Sequence, residues 1–68
     1  MTIPVERTRA VLQTKQFLLD LLDPQTTPRV PRAVRQRAVR CLRHYPWPYH
    51  LWCAAQARPE HWGDPDVA

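Results

Sequence analysis

The stretch from Cys41 to Cys53 reads CLRHYPWPYHLWC. Its ends mirror each other: Cys41 and His44 stand three residues apart, as do His50 and Cys53. Two readings compete. On helices, each Cys–His pair shares a face, and a fold back across Pro46-Trp47-Pro48 would bring four zinc-type ligands together, as a structural zinc site requires. Alternatively, the prolines mark a corner between two ordinary helices, with Cys41 on a buried stripe and His44 at a helix end. Free Cys is among the most buried residue types, and an imidazolium suits the carbonyl end of a helix. The spacing is also not that of a finger or ribbon, whose C-x2-C knuckles lie on turns. The helix–corner–helix reading is preferred. No cofactor is expected, and a zinc site at Cys41, His44, His50 and Cys53 remains the alternative.

Outward from that corner, prolines divide the rest. Pro4 fits the first turn of a helix, with Thr2 as its N-cap and Glu6 favouring its positive end. Asp23-Pro24 ends it, so the first helix is expected over 4–22. Its apolar arc is wide, taking in Val5, Val11, Leu12, Phe17, Leu18, Leu19, Leu21 and Leu22, wider than one packing contact needs. A loop, PQTTPRV, follows. Pro31 restarts a helix expected over 31–45, with Val34, Ala38, Cys41, Leu42 and Tyr45 as its buried stripe. Pro48 opens a third, to residue 57. Residues 59–62 read as one more helical turn, closed by Gly63, and 64–68 as a frayed tail. The expected fold is all-α, a small three-helix bundle with a short fourth turn, in one domain of 68 residues.

A chain of this length buries only about 60% of its unfolded surface, so its anchors matter. Five of its six aromatic residues fall within 45–62. Each buried aromatic removes on the order of 150–250 Å² from water, roughly 4–6 kcal/mol before entropy is counted. Trp52 and Trp62 are the expected core anchors. Trp47, between two prolines, is expected to project.

Charge is uneven. Residues 1–23 are neutral in sum, 24–58 hold seven Arg and no acid, and 59–68 hold Glu60, Asp64 and Asp66. A basic block attracts polyanions by steering and counterion release, although it also describes a solvated helix face. Arginine suits phosphate through bidentate hydrogen bonds. Arg29, Arg32, Arg35, Arg40 and Arg43 are the candidate polyanion-binding residues, with Arg37 nearer the apolar border. A helix-turn-helix reading fails on two points. The Tyr45-to-Pro48 connection lacks the turn glycine, and the would-be recognition helix carries little charge. Phosphate contacts with little sequence readout are expected instead.

Other classes fare worse. There is no serine, no Gly-rich phosphate loop, and too few residues to frame a cleft around a Cys–His pair, so no enzyme and no small-molecule substrate are expected. No apolar run reaches the roughly 18 residues of a membrane span, and no signal peptide is visible. The expected setting is the cytoplasm, with reduced thiols. Protein binding stays open: Trp and Tyr are frequent interface anchors, which makes Trp47 and Tyr49 candidate protein contacts. An acidic protein surface would fit the basic face, and a second copy would add stability to so small a chain.

Three strings also carry a resemblance: Thr2-Ile-Pro4-Val-Glu6-Arg-Thr-Arg-Ala-Val, Val30-Pro-Arg-Ala-Val-Arg35, and Leu42-Arg-His-Tyr-Pro46. Together with an ending near Trp62-Gly63-Asp64-Pro65, the chain resembles a short uncharacterised proteobacterial family over nearly its whole length. The resemblance implies a compact bacterial protein, in a setting that includes mobile elements. It brings no catalytic or binding residues. The family pattern includes His44 and does not call for Cys41, His50 or Cys53. An inhibitor or regulator of a nucleic-acid-handling complex enters by analogy alone.

Overall fold

A computed structural model describes residues 2–68. They form three helices and no strand: α1 (Pro4–Leu22), α2 (Arg32–Leu42) and α3 (Pro48–Ala57). The chain is all-α. Helix starts follow the prolines closely, but two caps differ from expectation. Ile3, rather than Thr2, takes the capping position of α1: its carbonyl accepts the Glu6 and Arg7 N–H groups, and its own N–H donates to Glu6 Oε1 at 3.0 Å. At α3, Trp47 caps through its backbone. Its carbonyl accepts the His50 N–H at 2.9 Å, and its N–H donates to His50 Nδ1 at 3.0 Å. The imidazole here does the work that Glu does in a capping box.

The end of α2 also differs. It stops at Leu42, three residues before the expected limit. The Arg43 N–H reaches back to Arg40 and the Tyr45 N–H to Leu42, both at 3.3 Å. These are three-residue links, so the chain winds out in tight turns. The clash of Pro46 with the residue before it removes the helical option there.

The described residues divide into two compact units, 2–13 with 46–68, and 14–45. In the first, the beginning of α1 lies with α3 and the C-terminal segment. Leu51 and Ala55, one turn apart on α3, are its buried apolar residues, and Thr8 is fully buried. The Thr8 hydroxyl donates to the Gly63 carbonyl and accepts the Gly63 N–H, both at 2.9 Å. Gly63 N–H also reaches the Pro4 carbonyl at 3.2 Å. Arg7 adds two bonds, to the carbonyls of His61 at 2.7 Å and Thr2 at 2.8 Å.

The glycine was expected to close a fourth helical turn. Instead, 58–62 is a single hydrogen-bonded turn, in which the His61 and Trp62 N–H groups both reach the Arg58 carbonyl at 3.0 Å. Gly63 does not have positive φ. What it supplies is space: a Cβ there would lie 2.5 Å from Val5 Cα and 2.8 Å from Val5 N. Beyond it, 64–68 make a hydrogen-bonded turn where fraying was expected. Asp66 N–H binds Asp64 Oδ1 at 2.8 Å, and the Val67 and Ala68 N–H groups reach the Asp64 carbonyl.

The second unit holds the end of α1, the loop and α2. Ala38 is its buried apolar residue. The loop is wired to Asp23, whose carboxylate accepts the Gln25 N–H at 2.9 Å and the Thr26 hydroxyl at 2.8 Å. The Thr27 hydroxyl donates to the Asp20 carbonyl at 2.6 Å. Arg29 has φ of 64°, a conformation rare for a side chain without special reason to adopt it. The Trp anchors are the main correction to the expected core. Trp52 is exposed at 44%, and Trp62 is half-buried. On a helix, Leu51 and Ala55 lie about 40° apart, whereas Trp52 is displaced about 100° from Leu51. Leu51 and Ala55 occupy the packing line, and the indole falls outside it.

Candidate functional site

The arginines sort themselves by how α2 is rolled about its axis. Arg35 faces the packing side. Its guanidinium donates to the Leu21 carbonyl at 2.6 Å and to the Thr27 carbonyl at 2.7 Å. Leu21 is in the last turn of α1, where carbonyls lack helical partners and carry partial negative charge. That turn has no basic residue of its own, so Arg35 supplies the missing charge from the next helix. Its donors are committed inside the fold, which sets it apart from the other candidates.

This roll moves the buried line from the Val34–Cys41 side toward Ala38, Leu42 and Arg35. Val34 is consequently exposed, and so is Cys41, where a core position was expected. On a wheel of about 100° per residue, Arg32, Arg43, Arg40 and Arg37 follow one another across the opposite face. All four are exposed, as is Arg29 in the loop. Among the described residues, none of these five is paired with a carboxylate. Arg37, expected nearer the apolar border, belongs to the solvent face. The signal for it was the placement of the wheel, which hinges on Arg35 being an inward residue. His44 lies just past the end of α2, exposed.

A second exposed cluster lies at the start of α3. Trp47 projects at 69% exposure and Tyr49 at 66%. Tyr49 and Trp52 are stacked, with ring centres 6.3 Å apart and planes 23° from parallel. His50 meets Tyr49 edge-on at 5.9 Å. The Cys53 thiol one turn on, first as a hydrogen-bonding neighbour and then through charge, pushes the Tyr49 phenol's ionisation up.

These contacts bear on the zinc alternative. Cys41 and His44 belong to one unit, His50 and Cys53 to the other. Among the described residues, no group of three or more His, Cys, Asp or Glu is arranged to hold a metal ion. His50 Nδ1 is engaged by the Trp47 N–H.

Among the described residues, no helix is long and apolar enough to cross a membrane. No family model, curated protein or solved structure matches the chain.

Proposed function

We propose that this is a non-enzymatic basic module that docks on the backbone of a nucleic acid through Arg29, Arg32, Arg37, Arg40 and Arg43. One observation carries the reading: five arginines within fifteen residues are exposed without an acidic partner, whereas the sixth is spent on the fold. Like charges spaced three residues apart on a helix repel by a few tenths of a kcal/mol each. A row of phosphates relieves that repulsion and releases counterions. The reading implies affinity with little sequence preference.

Fluorescence anisotropy with labelled oligonucleotides tests it. Arg37→Ala and Arg40→Ala should each weaken binding to all sequences alike and lower the salt slope by about one. Binding no tighter at physiological salt than that of a charge-matched unstructured peptide rejects it. Arg35→Ala is the control, since its effect should run through stability.

A second reading, a protein-binding regulator, has its own support. Trp47 and Tyr49, two residues apart at the start of α3, are both exposed, and Trp and Tyr are frequent interface anchors. On this reading, Trp47→Ala should abolish capture of a protein partner, or self-association, without changing the helical circular dichroism. A partner that still binds the variant normally removes it.

A further inference from the structure

We infer that the outer face of α3 is a stacking platform for unpaired nucleobases, built from Tyr49 and Trp52 with Gln56 at its end. The inference rests on the nucleic-acid reading above and adds the class of ligand, a single strand.

Tyr49, Trp52 and Gln56 stand at i, i+3 and i+7, one stripe on a helix. All three are exposed. The stripe is separate from Leu51 and Ala55, which do the packing, so the rings are not core side chains that fell short of burial. The two rings are stacked and near parallel, so the faces turned away from each other are the ones offered to a base. They are also held. His50 sits against the Tyr49 ring, and Pro48 opens the helix with fixed φ. Rings already positioned lose little freedom when a ligand arrives.

The chemistry of the stripe favours a base over an aliphatic protein surface. Every base has a π-face that stacks on an aromatic ring without regard to sequence. The Gln56 amide offers a donor and an acceptor to a base edge, the group pairing that single-strand recognition uses. α3 itself carries no acid, and Glu60, the first acid after it in the chain, lies 3.6 Å from the Arg58 guanidinium. In a duplex, the π-faces are already stacked on one another and are closed to this face.

The test compares three ligands of equal length: a thymidine single strand, the same backbone without bases, and a duplex. The thymidine strand should bind roughly tenfold or more tightly than the abasic one, the worth of one or two stacked bases. Tyr49→Ala with Trp52→Ala should erase that gap and leave the abasic affinity where it was. Tyr49→Leu, which keeps the apolar bulk and the helix but has no π-face, should narrow the gap as well, with helicity checked by circular dichroism. Equal binding of abasic and thymidine strands overturns the platform and leaves the phosphate reading standing. A duplex bound as tightly as the single strand does the same. Failure of all three ligands to bind overturns both. If the aromatic variants leave every oligonucleotide affinity unchanged but lose self-association, the stripe is a protein contact and the inference is wrong.

Discussion

The two compact units are each closed by one side chain that reaches backbone carbonyls, yet they do it in opposite ways. In 2–13 with 46–68, the closing residue is Thr8, neutral, fully buried, and bonded in both directions to the Gly63 peptide. In 14–45, it is Arg35, charged, half-buried, and bonded to carbonyls of α1 and the loop. The first closure depends on shape. The second depends on charge. A hydroxyl that serves as both donor and acceptor must meet its partner at close range, so the partner must be free of a side chain. A guanidinium on a long stem reaches across a wider gap and tolerates more around it.

The sharpest way to break that contrast is Gly63→Ala. The added methyl carbon meets Val5 backbone atoms, not a yielding side chain, so the segment must retreat and the Thr8 bonds stretch. A loss of about 3 kcal/mol is expected, the upper part of the usual range for overpacking. Urea denaturation would show it, and an unchanged midpoint would refute the close approach. Arg35→Ala should cost less, about 2 kcal/mol, as for hydrogen bonds to a charged group, with Arg35→Lys recovering only part because it lacks the fork. Arg37→Ala and Arg40→Ala, on the solvent face, should stay within about 0.5 kcal/mol. That difference separates an arginine that builds the fold from arginines left for a ligand.

The smallest effect concerns pH. The Thr26 hydroxyl and then the Gln25 N–H bind the Asp23 carboxylate and hold its pKa below the ordinary value, with Arg35 on α2 adding to this and slight burial opposing it. A carboxyl with a depressed folded pKa stabilises above its unfolded pKa, and that contribution is lost as pH falls through the folded value. Melting temperature should therefore fall in acid more steeply for the parent than for Asp23→Asn. Parallel curves for the two proteins would show that the Asp23 network contributes nothing. Thr8 and Gly63 carry no titrating group, so their closure should not respond.

Much of the architecture was legible in the residues. Pro4, Pro24, Pro31 and Pro48 bracket the helices because proline removes an N–H and fixes φ, which is local chemistry. The inward faces were harder. Trp52 and Trp62 were expected in the core from the burial habits of indoles, but a core position depends on which neighbours arrive, and the buried positions go to Thr8, Leu51 and Ala55 in one unit and to Ala38 in the other. The arginines show the same limit. Nothing in the local sequence distinguishes Arg35 from Arg32 or Arg40. Only the carbonyls of Leu21 and Thr27 do, and they lie 14 and 8 residues away. Exposure of Trp47 was legible, since flanking prolines forbid it a place inside a helix.

The Thr8–Gly63 clasp spans 55 residues of chain, whereas the Arg35 bonds span 14 and 8. That sets an order in time. During synthesis the 14–45 unit has all its ties once Arg35 and its helix emerge, because its partners are already made. The start of α1 must wait for residue 63, with the Thr8 hydroxyl and the Val5 backbone open to water or to a chaperone until then. Closing the longer loop also costs more chain entropy, so this clasp is expected to form late in refolding as well.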